Sequence, residues 1–77
     1  MNVNPYSVRY VKTPGNVYTV WAFDGRTMSE VFIGVVKKDP RGWILQPREE
    51  PTDWIGFYTT RAEAADSLVW RANRVPA

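Results

Sequence analysis

Apolar and β-branched residues come in short runs separated by turn formers. The runs are Tyr6–Lys12, Val17–Phe23, Glu30–Lys37 and Trp43–Gln46, and side chains of these types fit a pleated, half-buried surface. Thr13-Pro14-Gly15-Asn16 fits a type II turn, with Pro presetting φ and Gly taking the positive φ. Asp24-Gly25 is a hairpin-turn pair, and Asp39-Pro40-Arg41-Gly42 fits a type I turn. Connections this short join antiparallel neighbours, so a meander of three or four strands is expected. Residues 47–56 then change character. Pro47, Glu49, Glu50, Pro51, Thr52 and Asp53 form a loop, and Trp54, Ile55, Phe57 and Tyr58 return as an apolar patch suited to a short edge strand. Thr60-Arg61-Ala62-Glu63 is a capping box opening a helix over residues 61–73. Asn73 is placed to take a left-handed stop, and Pro76 forbids continuation. The expected fold is a single α+β domain of order ββββα, its C-terminal helix packed across one face of the sheet.

Two patterns leave apolar surface without an obvious cover. At about 100° per residue, Ala62, Ala64, Ala65, Leu68, Val69 and Ala72 share one side of the helix, and Ala65, Leu68 and Ala72 are expected to face the sheet. Trp70 falls nearly opposite. Either a terminal segment or the Trp54 loop folds over it, or it is an aromatic anchor for a partner. In the sheet, Val31, Ile33 and Val35 alternate with Phe32, Gly34 and Val36, so both faces of that strand are apolar. One helix covers one face of a small sheet. A homodimer, a protein partner or stacked nucleic-acid bases would each use the other face. Tyr18, Trp21, Trp43, Trp54 and Trp70 are the candidate protein-interface residues.

Composition narrows the chemistry. The 77 residues include eleven aromatics (four Trp, four Tyr, three Phe) but no Cys and no His. Disulfides, thiol nucleophiles and histidine acid–base chemistry are therefore absent, and stability must come from packing or association. Phosphate loops, H-E-x-x-H and G-x-S-x-G patterns do not occur. Glu49, Glu50 and Asp53 lack calcium-loop spacing. No enzyme, metal or cofactor is expected. The polar start at Asn2, Asn4 and Pro5 does not read as a signal peptide, and no apolar run approaches a membrane span, so a cytoplasmic protein is expected. Charge is uneven: residues 1–48 hold seven basic and three acidic residues, net +4, whereas residues 49–77 hold three basic and five acidic, net −2. The strand half is thus the basic half.

Tyr58-Thr59-Thr60-Arg61-Ala62-Glu63-Ala64 resembles the aromatic-x-Thr-x-x-Glu-Ala segment that opens the helix in arm-type DNA-binding domains of phage tyrosine integrases. The similarity extends loosely over residues 17–73, through Val17-Tyr18-Thr19-Val20-Trp21 and Gly42-Trp43-Ile44. Those domains, like the plant AP2 type, set a three-stranded antiparallel sheet backed by one helix into the DNA major groove. The chain also looks like small stand-alone accessory proteins of actinobacterial phages. The resemblance implies DNA binding, with phosphate contacts positioning the sheet and arginines reading guanine edges. Arg9, Lys12, Arg26, Lys37, Lys38, Arg41 and Arg48 are the candidate contacts. The expected partner is duplex DNA bound through the basic half, or alternatively a host protein bound or inhibited through an aromatic surface.

Overall fold

A computed structural model describes residues 1–50 and 53–74. Pro5–Ser7 form one 3-10 turn, followed by β1 (Arg9–Thr13), β2 (Val17–Asp24), β3 (Ser29–Asp39), β4 (Gly42–Pro47), β5 (Ile55–Tyr58) and α1 (Arg61–Arg74). The strands form one antiparallel sheet in sequence order, β1-β2-β3-β4-β5. The α+β meander with one C-terminal helix is as expected, but the apolar patch after the loop is a full fifth strand. No helix among the described residues is long and apolar enough to cross a membrane.

The element ends differ from the sequence reading for local reasons. The first strand begins at Arg9, not Tyr6. Asn4 caps a 3-10 turn there, its side chain accepting from the Tyr6 amide at 2.8 Å, and Pro5 at the start of that turn has no amide to lend to a ladder. At the other terminus the helix runs through Asn73 to Arg74. Asn73 is not a left-handed stop. Its side chain accepts from the Val3 amide at 2.6 Å and donates to the Val3 carbonyl at 3.1 Å, tying the N-terminal segment to the helix end. Pro51, Thr52 and Pro76 lie outside the described residues. Two of the three turns form as read: Gly15 has φ +84°, and Asp39 and Gly42 pair across a two-residue hairpin. At the third, Asp24 ends β2 and pairs with Ser29 across a four-residue loop whose positive φ falls at Met28, not Gly25. In the capping box, Thr60 Oγ1 accepts from the Glu63 amide at 3.1 Å.

The core lies between the helix and one sheet face. Ala64, Ala65, Leu68, Val69 and Ala72 are buried against Val20, Ala22, Ile33, Val36 and Leu45. Ala62, expected on this side, sits exposed in the first turn. A β-bulge solves the problem of β3. Val20 is level with Gly34 while Trp21 is level with Phe32, leaving Ile33 as the extra residue. The alternation therefore changes phase mid-strand. Val31, Ile33 and Val36 join the core, while Phe32 and Val35 face the other way.

The second face carries Val17, Thr19, Trp21 and Phe23 on β2, opposite Phe32 and Val35 on β3, and none of these belongs to the core cluster. Trp21 and Phe32 stack edge to face with centroids 5.6 Å apart. The only α-helix among the described residues lies on the other side, so no helix covers this open face; its side chains are half-buried among themselves, and Trp54 folds over its β4 edge beside Lys37.

Candidate nucleic-acid interface

The register divides the candidate basic residues between two ends of the sheet. At one end the β1–β2 and β3–β4 turns meet the end of β5 and the start of α1. Lys12 is level with Tyr18, Lys38 with Trp43, and Trp43 with Tyr58. Lys12, Lys37, Lys38 and Arg41 all belong to this turn end. Arg9 is level with Trp21, Arg26 lies in the β2–β3 loop and Arg48 follows β4. These three therefore sit toward the opposite end. Eight residues of β2 separate the two ends by roughly 23 Å, at a rise of about 3.3 Å each.

Arg9 is further withdrawn by an ion pair. Its Nε donates to Glu30 Oε2 at 2.9 Å, and a second guanidinium nitrogen meets Glu30 Oε1. The hydrogen bond raises the Arg9 pKa and lowers that of Glu30. Asp39 occupies Arg41 more loosely. Its Oδ1 accepts from the Arg41 amide at 3.0 Å and lies 3.4 Å from the Arg41 Nε. The Asp39 carboxyl is held below its usual range chiefly by that amide. The Arg41 side chain remains 74% exposed.

Aromatic rings underlie the cations at the turn end. Arg61 lies 4.1 Å from the Tyr10 ring centroid and 5.1 Å from that of Tyr18. Lys38 lies 5.7 Å from Trp43, and Arg41 lies 4.3 Å from Phe57. Tyr18 joins Tyr10 and Trp43 into one strip, with centroids 6.5 and 6.1 Å apart. Burial raises the Tyr10 pKa, with the Arg61 charge opposing it. Rings beneath the charges hold their stems and leave the outer faces to solvent. A groove of about 340 Å³ runs between the hairpin tip and β5, lined by Lys38, Pro40, Arg41, Gly42, Phe57, Tyr58 and Thr59. Gly42, at φ +141°, permits that approach: a Cβ there would lie 2.8 Å from the Tyr58 carbonyl oxygen.

The candidate protein-interface residues also divide. Tyr18 and Trp43 do not belong to the open face. They are half-buried and pack against the core from the helix side. Trp21 is on the open face and Trp54 at its rim, 42% exposed. Trp70 is 57% exposed on the outer side of the helix, with Arg74 stacked 4.4 Å from its ring. Pro5 and Tyr6 stand beside Trp70 across a groove rather than over it, and Trp54 lies beside Lys37 of β3 instead.

Sequence reasoning missed Arg61, Tyr10 and Phe57. Arg61 was counted with the acidic half, although a capping box on Thr60 already makes it the first helical residue. Its meeting with Tyr10, fifty-one positions away, is a consequence of how the helix crosses the sheet. Comparisons with protein-family models, with curated proteins and with solved structures each found no match.

Proposed function

We propose that the chain is a non-enzymatic DNA-binding accessory protein that holds the backbone of duplex DNA at the turn end of its sheet. The observation that carries this reading is the gathering of Lys12, Lys38, Arg41 and Arg61 at one end of the sheet, where Lys38, Arg41 and Arg61 lie over aromatic rings and Lys38 and Arg41 line a groove. Cations so placed attract phosphate and release condensed counterions. The rings beneath Lys38, Arg41 and Arg61 favour extended, pre-set side chains, which lowers the ordering cost of contact. Arg41 and Arg61 supply the planar donors suited to phosphate oxygens. Contacts of this kind position a protein without reading much sequence, so specificity is modest. The support lies at the end of the sheet and not on its open face, where Arg9 is engaged by Glu30.

The test is duplex DNA affinity across a salt titration. Lys12, Lys38 and Arg41 are exposed, so their triple alanine variant should fold normally. It should lose at least about tenfold in affinity and flatten the salt slope by about two to three units. Unchanged affinity and slope would sink the proposal.

A second reading is favoured by a different observation. Trp70 and Tyr6, 57% and 96% exposed, flank one groove of about 570 Å³, the kind of aromatic pair that anchors a protein partner. A host factor recovered on the wild-type chain after nuclease treatment, and lost with Trp70→Ala, is what this reading expects.

A further inference from the structure

We infer that the groove between the N-terminal turn and α1 binds a proline-rich segment of a partner protein, held as a polyproline II helix with a basic residue at the Asp66 end. The inference rests on the second reading above, in which Trp70 and Tyr6 anchor a protein, and it names the chemistry of that protein. Its basis is the kind of side chain the two walls present and the spacing of charge along one of them.

One wall is fixed by the backbone of the 3-10 turn. Asn4 accepts from the Tyr6 amide at 2.8 Å, and Pro5 presets φ at the start of the turn. Ser7 Oγ donates to the Asn4 carbonyl at 2.8 Å and accepts from the Phe23 amide at 2.7 Å. The turn is thereby pinned to β2, yet the Tyr6 ring stands 96% exposed. The other wall is one helix stripe. Asp66, Trp70 and Arg74 recur every four residues, so their side chains lie one above another. The Arg74 guanidinium stacks on the Trp70 ring and steadies it. Asn73, between the walls, is already committed to Val3. Among the described residues, the Trp70 indole N–H and the Tyr6 hydroxyl make no hydrogen bond, whereas Trp21 and Tyr58 donate theirs to Thr19 and Ser67.

These features select the ligand. Among the described residues the groove is lined by the turn and the helix alone, so it offers no sheet edge for an added β-strand. An apolar helix face would leave the indole and phenol donors without acceptors. A polyproline II segment suits them: it has no internal hydrogen bonds, so its carbonyls are free to accept, and its rings lie on aromatic side chains. It is also stiff before it binds, which lowers the ordering cost. Spacing sets the length. From Asp66 to Arg74 the helix advances eight residues, about 12 Å at about 1.5 Å each. Four polyproline II residues at about 3.1 Å each cover the same distance. Charge sets the direction. Asp66 makes no ion pair among the described residues, and Glu63 stands exposed one turn earlier. An Arg or Lys flanking the prolines at that end is attracted by both carboxylates, and an acidic residue there is repelled.

The test follows the four tryptophan indole signals and the backbone amides of nitrogen-15-labelled protein as synthetic peptides are added. The probes are polyproline led by Arg, polyproline led by Glu, and a Gly-Ser peptide led by Arg. The Arg-led polyproline should shift the Trp70 indole and the amides of Tyr6, Ser7 and residues 66–74, and leave the other three indoles in place. Trp70→Ala and Tyr6→Ala, both at exposed positions, should each weaken binding at least about tenfold. Trp70→Phe keeps a ring without the N–H donor and should weaken it about three- to tenfold, read at the Tyr6 amide. Asp66→Asn should erase the preference for the Arg-led over the Glu-led polyproline while binding persists. A Trp70 signal unmoved by either polyproline overturns the inference, and so does an equal response to the Gly-Ser peptide. Trp70-dependent capture of a protein, with no response to polyproline, overturns the inference and leaves the protein-binding reading standing. Failure of both overturns both.

Discussion

Asp24 shows how a residue's role can be half legible. Its place before Gly25 marks a turn, and it does sit at one. Its burial, 3% exposed, depends on residues far away in the chain. Oδ1 accepts from the Arg26 amide at 2.9 Å and from the Asn2 amide at 3.0 Å. Those two bonds, Arg26 first, hold its pKa below the usual 3.8. Stability from this group is therefore present above the unfolded-state pKa and is lost as pH falls through about 4 toward the folded value. Urea denaturation between pH 6 and 2.5 should show an acid decline that Asp24→Asn makes shallower. Glu30 and Asp39, also lowered, account for part of what remains. An unchanged pH slope in the variant would show that Asp24 is not one of the groups responsible. Arg61 was hidden for the same reason: a charge's neighbours are set by register, not by local composition.

At the scale of elements, patterns within a few residues predicted well and patterns spanning the bulge did not. Turns, strands and the capping box follow from adjacent residues, and each formed near its expected place. The phase change at Ile33 could not be read, because period-two alternation assumes an unbroken ladder. Gly34 is the position where strand, neighbour strand and helix meet. It has φ +149°, and a Cβ there would lie 2.6 Å from the Gln46 carbonyl oxygen and 2.7 Å from Leu68 Cδ2. Gly34→Ala should cost about 3 kcal/mol, seen as a lower urea midpoint at unchanged slope. Truncating Leu68 in addition should not rescue it, since the backbone oxygen of Gln46 cannot be trimmed. A Gly34→Ala protein as stable as the wild type would contradict the close helix–sheet contact described above.

The molecule as a whole has two unlike ends and two unlike faces. The Asn2–Asn4 segment, Asp24 and Asn73 sew the sheet to the helix at one end, while cations over rings occupy the other. The surplus of aromatics was legible from composition, but its division was not. Tyr10, Tyr18 and Trp43 floor the basic end, Trp21 and Phe32 pave the open face, and Trp70 stands apart on the helix. That partition separates the basic turn end, where DNA binding is proposed, from the uncovered sheet face and from Trp70. The most direct test of the DNA reading is a map of amide chemical-shift changes as a short duplex is titrated into labelled protein. The account predicts changes concentrated at residues 12–16, 38–43 and 58–62. Changes centred instead on Arg26 and Arg48, or none at any ratio, would contradict it.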